Sequence, residues 1–188
     1  MQRLLETIKC LDGHCFYLSY HLARINASRQ KLGLTTPLEL VLTPPQKGLF
    51  RCRLIYADKI LKIEYLPYKM KVPHSFKLVH SNISYDLKYE DRDELNALFE
   101  KAEEADEIII IKDGFVTDTS TANLCFFDGK QWLTPRKPLL YGTTRQRLLD
   151  EKKVISADIS FEDIHKYSKI AVMNAMTDFQ IIENAIIR

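Results

Sequence analysis

No charge of either sign dominates this 188-residue chain. Its 27 lysines and arginines stand against 25 aspartates and glutamates, a formal net charge of +2. So small an excess, scattered along the chain rather than gathered in one run, argues against nucleic acid or an anionic membrane surface as partner. Long hydrophobic runs are missing too. The longest, near residues 108–111 and 170–176, fall far short of a membrane span. The start, Met1-Gln2-Arg3-Leu4-Leu5-Glu6, lacks the uninterrupted apolar core and small-residue cleavage site of a signal peptide. The five histidines show no metal-ligand spacing, and no cysteine completes a zinc site, so no metal is expected. Cys10, Cys15, Cys52 and Cys125 are irregularly spaced and read as buried free thiols in a reducing cytoplasm. Repeats and low-complexity segments are absent.

What is present is the composition of an ordinary globular protein, 46% hydrophobic and 28% charged. Residues 4–11 read as a strand closed by Asp12-Gly13, with residues 15–18 extended. Leu22, Ile25 and Leu32 recur at helical spacing over residues 19–32, and Gly33 supplies the stop. Thr36-Pro37 predicts a short helix through Leu42, ended by Thr43-Pro44-Pro45. Strands at 49–56 and 60–66 are joined by Ala57-Asp58-Lys59, and residues 76–80 are extended. A hinge is expected near residues 74–83, separating a small α+β domain (1–78) from a larger one (79–188).

In the second half, a helix is predicted over residues 91–105, with Leu95, Leu98, Phe99 and Ala102 on one face. Asp113-Gly114 and Asp128-Gly129 each join two strands. A helix at 143–151, a strand near 154–159, a capping-box start at Ser160 and strands at 169–173 and 179–182 complete the chain. Hairpins mixed with helices, without βαβ alternation, give an α+β class with two subdomains.

Three stretches carry chemistry in combination. Lys88 lies where an extended segment meets a helix; Asp118 follows a strand and precedes Thr119, Ser120 and Thr121; Gly142-Thr143-Thr144 opens a helix. Pyridoxal phosphate needs a primary amine for its aldehyde and a carboxylate for its pyridine nitrogen. Its phosphate needs helix N-terminal amides and preferably an arginine. Arg24 could supply that arginine, and Asn174-Ala175-Met176 a third loop. Each alone has a plainer use: Lys88 and Arg24 as solvated side chains, Asp118 as a turn cap, Thr143 as a helix cap. Their joint order is the signal.

With these residues in place, the chain resembles the class IV, fold-type IV pyridoxal-phosphate enzymes over nearly its whole length. That family includes branched-chain and D-amino-acid aminotransferases and 4-amino-4-deoxychorismate lyase. The resemblance rests on Glu6-Thr7-Ile8 before Asp12-Gly13, His21-Leu22-Ala23-Arg24-Ile25, and Asp86-Leu87-Lys88-Tyr89-Glu90-Asp91-Arg92. It continues through Gly114-Phe115-Val116-Thr117-Asp118, Asn123-Leu124, Leu133-Thr134-Pro135, Gly142-Thr143-Thr144-Arg145 and Met173-Asn174-Ala175-Met176.

The resemblance implies the D-amino-acid-aminotransferase-like two-domain architecture with a shortened N-terminal small domain. It makes Lys88 the Schiff-base lysine and proton carrier, and Arg24, Thr143 and Thr144 phosphate contacts. Asp118 takes the pyridine-nitrogen position, where the family usually has glutamate. Asn174, Ala175 and Met176 resemble the lyase form of the last cofactor loop. Lys59 is the nearest match to an arginine that binds the substrate carboxylate, and would act as a point charge. The implied reaction is pyruvate elimination from aminodeoxychorismate to give 4-aminobenzoate for folate synthesis, by a cytoplasmic homodimer. A branched-chain or D-amino-acid aminotransferase is the alternative within the fold. A non-catalytic cofactor- or partner-binding remnant is the alternative outside it.

Overall fold

The computed structural model describes residues 2–188. By packing, the chain separates into two compact units: residues through Met70 together with Leu87–Asp91, and Lys71–Asp86 together with Arg92–Arg188. The segment carrying Lys88 therefore packs with the first unit.

That first unit is one antiparallel sheet and one helix. Strand β1 (Leu4–Leu11) turns at Asp12-Gly13 into the short β2 (His14–Cys15), and helix α1 (Leu18–Lys31) follows. Asp12 and Gly13 have φ of 47° and 82°, the double left-handed turn that matches strand twist in a two-residue hairpin. β3 (Leu49–Tyr56) and β4 (Ile60–Pro67) complete the order β2-β1-β3-β4. Every second residue of β1 points inward, so Leu4 and Ile8 are buried, and Leu4 joins Ile25, Leu54, Tyr56 and Leu87 in one core.

The short helix expected after Thr36-Pro37 does not form; residues 36–42 belong to no helix or strand. Leu38, Leu40 and Leu42 are partly buried while Glu39 and Val41 face solvent, a period of two rather than 3.6. The three leucines pack on the sheet, which outweighs the local cap signal. Arg29 fastens this stretch by donating to the carbonyl of Thr36.

The second unit holds two sheets. β5 (Ser75–His80), β6 (Glu107–Lys112), β7 (Phe115–Val116) and β13 (Ile186–Ile187) assemble in the order β13-β5-β6-β7. β8 (Asn123–Phe127), β9 (Trp132–Pro135), β10 (Ile155–Ala157), β11 (Lys169–Asn174) and β12 (Asp178–Ile182) form the order β10-β9-β8-β11-β12. Helix α2 (Asp93–Phe99) is shorter than expected: a 3₁₀ turn at Glu100–Ala102 tightens its end, and Glu103 at φ 54° stops it. Helix α3 (Thr143–Asp150) forms as read. The Ser160 start gives a 3₁₀ turn, Phe161–Lys166, with the Ser160 hydroxyl accepting from the Glu162 amide. One core of Ile109, Ile111, Leu124, Phe126, Ile170 and Val172, with Phe76 and Ile182, binds the two sheets.

Candidate active site

In the first unit, strand β1 presents Glu6 into the protein with no exposure at all. A buried carboxylate is costly unless matched, and here α1 supplies the match. Arg24 donates through Nε to Oε1 at 2.7 Å and through Nη2 to Oε2 at 2.6 Å. His21 Nδ1 lies 2.7 Å from Oε2. An ionised carboxylate only accepts, so Nδ1 carries the proton. Burial alone would raise the Glu6 pKa; the Arg24 charge and the hydrogen bonds from His21 and Arg24 outweigh it and bring it down to about 2. Arg24 is thus no solvated helix residue: its side chain is 14% exposed and its plane is fixed by two parallel bonds.

Lys88 sits against the same strand. The Leu5 amide donates to the Lys88 carbonyl at 2.8 Å, the Glu90 amide to the Arg3 carbonyl at 3.0 Å, and Leu4 pairs with Tyr89 as a β-bridge. Its backbone is therefore held like an added strand beside Glu6, and its side chain is half-buried. Lys59 is exposed in the β3–β4 turn, where its own amide donates to Asp58 Oδ1.

In the second unit, Asp118 is 5% exposed and pairs as an isolated bridge with Asn123. Asn123 Nδ2 donates to Asp118 Oδ1 at 2.6 Å, and the Leu140 amide donates to Oδ2 at 2.8 Å. Asn123 also donates to the Leu140 carbonyl at 2.8 Å, tying the carboxylate to the loop that leads into α3. Burial raises the Asp118 pKa to about 7 despite these bonds and the Arg145 charge. Gly142 is required by contact: a Cβ there would stand 2.0 Å from Asn123 Oδ1.

Thr143 and Thr144 open α3, both buried, and no side chain caps the helix. Its leading amides, which have no intrahelical acceptor, are suited to an anion. Arg145, 3% exposed, donates through Nη2 to the Pro135 carbonyl at 2.9 Å, while its Nε is buried without a partner.

The hydroxyls after Asp118 behave differently from a phosphate loop. Thr119 Oγ1 accepts from the Ala122 amide at 2.9 Å, and Ser120 Oγ and Thr121 Oγ1 donate to Glu107 Oε2 at 2.9 and 3.2 Å. They stitch the turn between Asp118 and Asn123. Sequence reasoning missed Glu107, His21 and Asn123 as parts of this machinery, although His21 and Asn123 lay inside quoted motifs. Asn174 closes the β11–β12 loop on itself, its Oδ1 accepting from Met176 N at 2.9 Å, Thr177 N at 3.0 Å and Thr177 Oγ1 at 3.1 Å. Ala175 is half-buried and Met176 buried in that loop. A cavity of about 350 Å³ bordered by Trp132, Leu148, Val154 and Phe179 contains none of the residues predicted for the site.

Taken unit by unit, the donor sets suit pyridoxal phosphate. The first holds an amine on rigid backbone and a fixed guanidinium. The second holds a dry carboxylate, whose raised pKa marks a place for a protonated nitrogen, and an uncapped helix start.

Known proteins resemble this chain in sequence and in fold. The family model described as amino-transferase class IV matches residues 86–185. An uncharacterised protein of Haemophilus influenzae is 38% identical over 186 residues, covering 94% of this chain and 98% of that one. A crystal structure from Haemophilus somnus, provisionally named a 4-amino-4-deoxychorismate lyase, is 40% identical with a TM-score of 0.85, covering 94% of this chain and 97% of that one. A pyridoxal-phosphate-bound hypothetical aminotransferase of Mycobacterium tuberculosis shares the fold at 18% identity and a TM-score of 0.80, covering 99% of this chain and 81% of that one.

Proposed function

The chain belongs to the class IV aminotransferase family, and from that premise we propose that it is a pyridoxal-phosphate-dependent lyase that releases pyruvate from 4-amino-4-deoxychorismate. The observation that carries the cofactor is Asp118. A buried carboxylate with two neutral donors and a pKa near 7 is matched to a protonated heterocyclic nitrogen. When bound, pyridoxal phosphate supplies an electron sink for the substrate carbon that bears the amine.

The protein's residues do the rest. Lys88 holds the cofactor through its amine and, once exchanged for the substrate amine, takes the proton from that carbon at Nζ. The mount on β1 fixes the backbone from which that amine projects. Asp118 keeps the ring nitrogen protonated, and Asn123 and the Leu140 amide keep Asp118 oriented. The leading amides of α3, with Thr143 and Thr144, bind the phosphate. Arg24 serves the phosphate as well, oriented by Glu6. Asn174, Ala175 and Met176 would supply a third loop to hold the cofactor, and Lys59 would attract the substrate carboxylate. The bond from the adjacent ring carbon to the ether oxygen breaks, and the side chain leaves as the enol of pyruvate and is protonated on carbon. The ring, having lost one proton and that group, becomes aromatic as 4-aminobenzoate.

Lyase rather than transferase is favoured by the Asn174-Ala175-Met176 turn and by the name of the 40%-identical structure. The reading includes a cytoplasmic homodimer in folate synthesis; light scattering checks the dimer. To test the reaction, the purified protein is given aminodeoxychorismate and pyruvate is followed with lactate dehydrogenase. Release without any added keto acid is expected. Conversion of the cofactor to its amine form by a branched-chain or D-amino acid, without pyruvate release, would instead make it an aminotransferase.

A further inference from the structure

The first hairpin places two cysteines face to face. Cys10 and Cys15 are register partners across β1 and β2, and their sulfurs are 3.2 Å apart. The flanking pair Lys9 and Phe16 is hydrogen-bonded, with the Phe16 amide on the Lys9 carbonyl at 2.9 Å. Because antiparallel pairs alternate, Cys10 and Cys15 occupy a non-hydrogen-bonded position, where Cα atoms stand about 4.5 Å apart and side chains are closest. That spacing lies inside the range of about 4.4–6.8 Å that a disulfide spans. The two residues differ in access: Cys15 is half-buried, whereas Cys10 is 1% exposed. The nearest rival, Cys52 on β3, is fully buried, opposite Ile8, and packs in one cluster with Cys10.

We infer that Cys10 and Cys15 are a thiol-modification site that closes to a cross-strand disulfide under hydroperoxide. Cys15 is attacked first. Its sulfur takes an oxygen from the peroxide, whose O–O bond breaks and whose other oxygen leaves as water. Cys10 then attacks the Cys15 sulfur, the S–S bond forms, and a second water departs. Two thiols and one hydrogen peroxide thus give one disulfide and two waters, the thiols being oxidised and the peroxide reduced.

Burial holds the Cys15 thiol up to about 12, and the bond to Cys52 together with burial holds Cys10 above the ordinary range. Thiolate is scarce at neutral pH and closure is slow, as befits a site of sustained oxidation rather than a rapid sensor. Closure would pin β2 to β1 immediately before α1, the helix that carries His21 and Arg24.

The test uses the full chain, oxidised with hydrogen peroxide, then denatured, alkylated and digested with trypsin. Cys10 and Cys15 fall in one tryptic peptide, between Lys9 and Arg24, and Cys52 in another. The expected result is that free thiols drop from four to two and that the first peptide loses two hydrogens and takes no alkylating label. Cys52→Ala should show the same loss, and Cys15→Ala should keep all its remaining thiols. A Cys10–Cys52 linkage, Cys15 halted as its sulfinic or sulfonic acid, or four thiols surviving an oxidation that consumes exposed thiols in a control protein would overturn the inference.

Discussion

Two carboxylates in this molecule are both buried and carry opposite electrostatics. Glu6 meets a guanidinium and an imidazole and is driven down to about 2. Asp118 meets an amide side chain and a backbone amide, with Arg145 acting only as a nearby charge, and is driven up to about 7. Burial pushes both the same way; the number of cationic donors in direct contact decides which way each ends. The first arrangement satisfies the carboxylate by itself and fixes the plane of the Arg24 guanidinium. The second is balanced only by a further positive partner, and belongs to binding.

Lys88→Ala offers the largest effect with which to test that division. It should lower turnover by roughly 10²–10⁴-fold or more and remove the borohydride-trapped cofactor adduct, while thermal unfolding stays near that of the parent. An unfolded variant would instead place Lys88 with Glu6 among the structural residues.

Glu6→Ala comes next. It strands Arg24 and His21 without their shared acceptor and should cost roughly 3–5 kcal/mol in urea unfolding. A cost below about 1 kcal/mol would mean that the network adds no more than an exposed ion pair.

The two groups should also separate by pH. Glu6, lowered from 4.5 to about 2, contributes stability that is complete above its ordinary value and is lost as pH falls through 2. Asp118, raised from 3.8 to about 7, does the reverse: its contribution is complete below about pH 4 and is lost as pH rises through 7. Urea midpoints of cofactor-free protein should therefore decline between pH 4 and pH 7 relative to Asp118→Asn. Saturating pyridoxal phosphate should shrink that decline. Parallel curves for the two proteins would remove Asp118 from the account.

Gly142→Ala is the mildest change. The added methyl forces Asn123 aside and should cost about 1–3 kcal/mol. Its sharper signature is a lower affinity for inorganic phosphate and pyridoxal phosphate measured by calorimetry, with Lys88 still able to be trapped.

The strands were legible because each is a local pattern: Asp-Gly turns and alternating apolar residues are read within a few positions. Residues 38–42 misled because Thr36-Pro37 is a local helix signal, whereas the leucines answer to a sheet distant in sequence. The helix predicted over residues 91–105 was overextended for a similar reason, its apolar face continuing past the point where Glu103 reverses the backbone. At the site, motif order singled out Lys88, Arg24 and Asp118. It did not give their surroundings. The Glu6–Arg24 pair spans 18 residues and Asp118–Leu140 spans 22, and no periodicity links such positions. Nor did motif order show that the hydroxyls of Thr119, Ser120 and Thr121 serve the turn and Glu107.

The carbonyl of Lys88 accepts from the amide of Leu5, so the reactive side chain is carried by sheet-like backbone rather than by a mobile loop. Its reach is then set by the four methylenes of its own stem. Deuterium uptake at Leu5 and Glu90 should accordingly be as slow as in the middle of β1, and should quicken only when that whole sheet opens.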